Sequence, residues 1–360
     1  MKSKHKIIFV IPSLMAGGAE RIMSFIAKKI DNSVFEAVLI VIGFEKDNVF
    51  DLGSVKTIYL NKPRVLTSFF SLFKSIIKEK PAVVMSSISH LNTVLAIISL
   101  AFPKTKFIGR EVNIESVLKD HPEEANRYFP AFIGEIRYKL LDRIICQSND
   151  MMNDFVSESK INNAKLVLIN NPITEKFRTK ELKREKKKNH YHFITVGSLE
   201  RRKGYPRIIE ALSKLDVQYT YTIIGKGSQF ESVFEIAKSL GVEGQINHIP
   251  FTKEVPRLLA ESDIFLQGSY VEGFPNALLE SCAVGTPVIA FDAPGGINEI
   301  VENHINGFIV KDEEEFLKAI KIILNSKKFD PKTVSESVYK KYSEEIIIKK
   351  YEKLFSELAN

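Results

Sequence analysis

Val271-Glu272-Gly273-Phe274-Pro275-Asn276-Ala277-Leu278-Leu279-Glu280 sets two carboxylates eight residues apart on either side of a proline. The preceding run, Ser262 to Ser269, is short and apolar enough for a buried parallel strand, and proline suits a first helical position. The stretch therefore reads as a strand-to-helix junction, with Glu272 in the loop at the strand's carboxyl end and Glu280 one to two turns into the helix. In open α/β sheets ligands bind in that crevice. The backbone N–H groups of Asn276, Ala277 and Leu278, at the helix start, can also meet ligand hydroxyls or an anion.

The same half of the chain carries a basic loop. Val196-Gly197-Ser198-Leu199-Glu200-Arg201-Arg202-Lys203-Gly204 follows the strand-like run His192 to Val196 and precedes the amphipathic Ile208 to Leu212. A helix opened by a cationic loop favours an anion, because its first N–H groups are unpaired and Arg202 and Lys203 add full charges. Further glycine turns close two more strand-like runs, at Gly225-Lys226-Gly227 and Pro294-Gly295-Gly296.

Short apolar runs alternate with helical patterns throughout. They are Ile7 to Ile11, Ala37 to Ile42, Ala82 to Met85, Lys106 to Gly109, Arg143 to Cys146 and Leu166 to Ile169. After the polar stretch 174–190 a second series follows: Phe193 to Val196, Tyr219 to Ile224, Ile246 to Pro250, Ile264 to Gln267, Pro287 to Ala290 and Gly307 to Val310. This is the βα alternation of doubly wound parallel sheets, and 360 residues hold two such domains. The expected division is 1–175, a linker at 176–190, 191–340, and a closing helix over 341–360. The three segments 1–175, 176–190 and 191–360 carry net charges of +5, +6 and −4, which points to an anionic partner on the N-terminal side. Cys146 and Cys282 form no CxxC or Cys/His cluster, which argues against zinc or a disulfide framework and for a reducing cytoplasm. The apolar run Ile7 to Ile11 is too short for a signal-peptide core, and Asn92 to Phe102 is long enough only for a buried helix.

These motifs, in this order, resemble the retaining nucleotide-sugar glycosyltransferases of family 4, and the resemblance runs nearly end to end. It adds Met15-Ala16-Gly17-Gly18-Ala19-Glu20 as the family's N-domain glycine loop, and Asp142 to Ser148 and Val167 to Ile173 as that domain's last strands. The implied fold is GT-B: two Rossmann-like α/β domains facing a central cleft, the N-terminal one for acceptor and the C-terminal one for donor, with a last helix crossing back. Glu280 is implied to hold the ribose, Glu272 to lie by the transferred sugar, and Lys203 with Arg202 or Arg201 to carry the diphosphate. Gly17, Gly18, Gly197, Ser198, Gly225, Phe274, Pro275, Asn276, Ala277 and Leu278 line the implied donor site. Two positions depart from the commoner pattern: Ser198 stands where arginine is frequent, and Arg110-Glu111 where many members carry a histidine. On the acceptor side Arg110, Glu111 and His90, the last placed in a loop, are the candidates.

The resemblance implies a UDP-sugar ahead of a GDP-sugar, no metal or other cofactor, and a glycan or polyprenyl-diphosphate-linked acceptor for surface polysaccharide at the inner membrane face. Lys311-Asp312-Glu313-Glu314-Glu315 reads as a helix start and not as a metal motif. Other readings of the paired acids are a glycosidase, which leaves the basic loop unexplained, a nucleotide-sugar epimerase of the same architecture, and a non-enzymatic nucleotide-sugar-binding protein. Nucleic acid fits poorly, since the lysines of 183–188 lack interleaved aromatics. Val65 to Lys78 mixes aromatics with lysines, as an interfacial helix on an anionic membrane would, though a helix covering a sheet explains it too. Alanine at Glu280 or Lys203 should abolish transfer and leave thermal unfolding nearly unchanged.

Overall fold

The computed structural model describes residues 4–118, 131–158, 161–174, 177, 190–325 and 329–360. The chain divides into two compact units, Met1–Pro172 with Glu344–Asn360, and Ile173–Ser343. The predicted linker 176–190 lies outside the described residues apart from Phe177 and His190.

The first unit is built on seven strands: β1 (His5–Ile11), β2 (Phe35–Val41), β3 (Lys56–Tyr59), β4 (Val83–Ser87), β5 (Lys106–Arg110), β6 (Arg143–Cys146) and β7 (Leu166–Leu168). Every pairing is parallel, in the order β3-β2-β1-β4-β5-β6-β7. Ile7 to Ile11 are almost wholly inaccessible, as a central strand covered on both faces requires. The closing helix, Glu344–Ala359, completes this core: Ile347, Tyr351 and Phe355 join its buried cluster, and the Phe355 ring meets Phe9 and Phe35 edge-on at 5.8 and 6.1 Å. Strand β3 has no counterpart among the predicted runs. It is a four-residue edge strand with no fully buried side chain, so no apolar run marks it.

The second unit holds β8 (Tyr191–Val196), β9 (Tyr219–Ile224), β10 (Ile246–Ile249), β11 (Ile264–Gln267), β12 (Val288–Phe291) and β13 (Gly307–Val310). Their order, β10-β9-β8-β11-β12-β13, reverses between β8 and β11. There the ladder is short, with only Ile264↔Phe193 and Phe265↔Ile194 in register. One residue on, the Thr195 hydroxyl takes over: Oγ1 donates to the Leu266 carbonyl at 2.6 Å and lies 2.7 Å from the Tyr221 hydroxyl. A side chain thus stands between the strand ends where a backbone bond would close them, and the crevice of a switch point opens beyond it. The segment read as a helix start is one: Glu315 N–H donates to Asp312 Oδ1 (2.9 Å) and Lys311 N–H to Glu315 Oε2 (2.8 Å), ahead of the helix Glu313–Asn325.

Cys146 and Cys282 are free and buried, and burial pushes the Cys146 thiol up to about 12. Among the described residues no helix is long and apolar enough to cross a membrane.

Gly204, at φ +59°, passes so close to β11's exit that a Cβ on it would lie 1.9 Å from the Gly268 carbonyl oxygen; at Gly241, φ +69°, a Cβ would meet nothing within 4 Å. Both alanine variants incur the left-handed penalty of about 1–2 kcal/mol, but only Gly204→Ala adds a backbone collision. Urea unfolding should show Gly204→Ala distinctly the less stable of the two, and equal losses would contradict the close approach.

Candidate functional site

At the switch point of the second unit, two loops are stitched together by backbone. The loop after β8 tightens into a 3-10 turn, Arg201–Lys203, ends at Gly204 and enters the helix Tyr205–Ser213. The loop after β11 lies against it: the Tyr270 N–H donates to the Arg202 carbonyl at 2.8 Å, and a Cβ on Gly268 would fall 2.3 Å from the Gly204 oxygen. A third loop, after β12, holds the far side, with the Glu272 N–H on the Pro294 carbonyl at 2.9 Å and Gly295 packed where a Cβ would strike the Glu272 carbonyl.

This stitching brings Lys203 onto Glu272. Lys203 Nζ donates to both carboxylate oxygens, at 2.7 and 2.9 Å, Ser269 Oγ to Oε1 at 2.6 Å, and Gln267 Nε2 to Oε1 at 3.3 Å. Arg202 lies 3.9 Å from Oε2 and pairs more closely with Glu200, at 2.7 Å. Glu272 is 6% exposed. Burial alone would raise its carboxyl, but Lys203 first and Arg202 second outweigh it and hold the group below the ordinary glutamate range. Glu272, Lys203 and Arg202, proposed from sequence, therefore form one cluster.

Gly197 and Ser198 lie at the exit of β8, and the Gly197 carbonyl occupies the place of a Cβ on Gly225, joining the β8 and β9 exits. Glu280 is buried in the helix Asn276–Ala283, in its second turn. Pro275 is not the first helical residue; it takes the cap position, and the helix begins at Asn276. The side chains of Phe274 and Leu278 go into the core, Phe274 edge-on to Tyr342 at 5.4 Å, while Asn276 and Ala277 are half-buried. Those two core residues have only their backbone to offer a ligand.

Arg207 is the residue sequence reasoning missed. Its guanidinium lies 4.2 Å from the centres of both the Tyr270 and Phe291 rings, and it donates through Nε to the Gly268 carbonyl at 2.6 Å and through Nη2 to the Ser269 carbonyl. It ties down the loop that carries Ser269 and Glu272; burial lowers it to about 10. In the sequence it is one arginine in a first helical turn, indistinguishable from one facing solvent.

In the first unit, Gly17 caps the helix Gly18–Lys29 in extended backbone, and Glu20 Oε2 fills the space a Cβ on Gly17 would occupy, 2.1 Å away. Burial raises the Glu20 carboxyl. His90 is not in a loop: it is the second residue of the helix Ser89–Ser99, and burial lowers its pKa. Arg110 and Glu111, expected on the acceptor side, are each 1% exposed and bonded internally, with only Arg110 Nε left without a hydrogen-bond partner. Arg110 donates to Ser87 Oγ at 3.1 Å and to Asn171, while Glu111 accepts from Asn92 (2.8 Å) and Ser89 (3.0 Å). They are corrected to a buried polar network that ties the ends of β4, β5 and the segment after β7, because it leaves a ligand almost no surface of theirs to touch.

Two Rossmann-type parallel-sheet units, the second with a cationic loop and a buried carboxylate at its switch point, make up a GT-B fold. In comparison with known proteins, residues 175–341, a little under half of the chain, match the family model described as glycosyl transferases group 1. The chain is 25% identical over 338 residues to an uncharacterized glycosyltransferase of Haemophilus influenzae, covering 89% of this chain and 91% of the other. It is 24% identical over 373 residues, 99% of each chain, to a Campylobacter jejuni α-1,4-N-acetyl-D-galactosaminyltransferase whose name specifies a PP-undecaprenol-linked GalNAc acceptor. Among solved structures, Anabaena HepE in complex with UDP-glucose shares the fold, with a TM-score of 0.78 at 19% identity over 98% of this chain and 99% of that one.

The ion pair revises one expectation from sequence. Lys203→Ala leaves a buried carboxylate without its main cation, so unfolding free energy near pH 7 should fall by about 3 kcal/mol, the low end for a broken buried pair since Arg202 remains. Glu272 has a depressed folded pKa, so its stabilisation is complete above the ordinary glutamate value of 4.5 and is lost as pH falls through the folded value. The deficit of Lys203→Ala against wild type should therefore shrink in acid. A deficit independent of pH would contradict the pairing.

Proposed function

We propose that the protein is a retaining, metal-independent glycosyltransferase that moves a sugar from a nucleoside diphosphate sugar, UDP ahead of GDP, to a glycan acceptor borne on a polyprenyl diphosphate. The setting is surface-polysaccharide assembly at the cytoplasmic face of the membrane, with peripheral contact with anionic lipid. The observation that carries the reading is the Lys203–Glu272 pair at the β8/β11 switch point, where a fold of this type receives its ligand. The undecaprenol-linked acceptor named for the Campylobacter relative and the UDP-glucose bound to HepE support the acceptor and donor classes.

Lys203 has three N–H donors and gives two to Glu272, so it can keep the carboxylate and still bind a phosphate oxygen. Lys203 and Arg202 would stabilise the charge left on the diphosphate when the anomeric C–O bond breaks. Glu280 would accept two ribose hydroxyls, and Glu272 would lie by the sugar and ease positive charge at the anomeric carbon. The acceptor oxygen bonds to that carbon on the face the diphosphate leaves, and its proton passes to the departing phosphate oxygen. A glycosidase is disfavoured by the same pair, since its acid needs a raised pKa and Glu272 is held low by two cations.

Calorimetry with UDP, GDP and ADP should give selective binding to wild type, and Glu280→Gln should lose most of it with unchanged thermal unfolding. With a competent acceptor, NMR should find the donor's anomeric configuration kept in the product. Absence of binding to every nucleotide, or inversion at the anomeric centre, would overturn the proposal.

A further inference from the structure

The helix Phe69–Glu79 has two apolar faces, and its sheet accounts for one. Leu72 and Ile76 are buried under it, with Glu79. On the other side Phe70, Phe73 and Ile77, at spacings of three and four, form a second stripe; Phe70 is 76% and Ile77 51% exposed, and the adjoining turn adds Leu66, also 51% exposed. A helix that only covers a sheet carries polar groups there. Phe73 packs edge-to-face on Phe102 at 5.1 Å, which joins the stripe to the turn carrying Leu100, 69% exposed. An exposed apolar patch of this continuity marks an interaction site.

Charge selects the occupant. From residue 52 to residue 110 the sequence holds nine basic residues and one acid, Glu79. That acid is buried and taken by Lys6 at 3.0 Å and Lys56 at 2.6 Å, so it does not offset the surface charge. Arg64, Lys74, Lys78, Lys80 and Lys104 are exposed and have no ion-pair partner among the described residues. Phenylalanines and isoleucine flanked by unpaired lysines match the chemistry of an anionic bilayer surface, whose acyl boundary takes the rings and whose headgroups take the ammonium groups.

We propose that this face, centred on Phe70 and Ile77 and flanked by Lys74 and Lys78, docks the protein on anionic phospholipid. The proposal deepens the membrane contact in the functional reading and rests on it for its purpose, but not for its test. Full-length protein is sedimented with phosphatidylglycerol-containing vesicles and with pure phosphatidylcholine vesicles, at low and high salt. Wild type should sediment with the anionic vesicles only, and high salt should weaken binding. Phe70→Glu with Ile77→Glu, and separately Lys74→Glu with Lys78→Glu, should each weaken it by about tenfold or more. Both variants should keep the wild-type UDP isotherm and thermal unfolding, so a failed membrane assignment is separable from a failed transferase reading. Equal sedimentation of wild type and both variants would overturn the proposal. So would a concentration-dependent dimer that Phe70→Glu dissolves and that binds no vesicles, which would give the face to a second copy of the chain.

Discussion

A carboxylate with almost no contact with water needs a cation and hydrogen bonds, or it costs several kcal/mol. Glu272 is such a group, and most of the second unit's ligand end is arranged around it. Lys203, Ser269 and Gln267 satisfy its oxygens. To deliver Lys203, the β8 and β11 loops must meet at backbone distance, which requires Gly204 and Gly268, and Gly295 lets the β12 loop close on Glu272 from the other side. Arg207, stacked between Tyr270 and Phe291, holds the arrangement from beneath. The cluster is thus assembled by the fold itself, and charge preorganised in this way is what the proposed transfer would draw on.

The two units use one topology differently. In the second, Thr195 ends the β8–β11 ladder after two registered pairs and leaves a crevice. In the first, β1 and β4 stay in register over four pairs, Ile7↔Val83 to Val10↔Ser86, and most polar groups beyond β4 and β5 bond to one another. Glu20 folds into the glycine loop. The first unit's ligand end is organised by internal polar contacts, where the second presents a charged pair.

Much of this was legible in the sequence, for definable reasons. Central strands such as β1, β8 and β11 are buried on both faces and announce themselves as apolar runs; the edge strand β3 is half-exposed and does not. Glu272, Lys203 and Arg202 stand out in the sequence because acids and bases at strand ends have few reasons to be there. Their mutual contact was not legible, since it depends on loops meeting through glycines 64 residues apart, Gly204 and Gly268. Arg110 and Glu111 misled for the complementary reason: charged residues after a strand look available, and only the packed fold reveals that Ser87, Asn92 and Asn171 have claimed them. His90 falls one residue inside a helix whose start, at Ile88 with φ +83°, follows no standard capping signal.

Glu272 is buried and held ionised by Lys203, at the place where the proposed function puts a diphosphate. The direct measurement is the titration of the Glu272 carboxyl by carbon-detected NMR, with Glu272→Gln for assignment, in the free protein and at saturating UDP. The account predicts a pKa below the ordinary glutamate range in the free protein, and a rise when the diphosphate brings negative charge beside it and competes for Lys203. An ordinary titration in the free protein, or one that saturating nucleotide leaves unmoved, would contradict it.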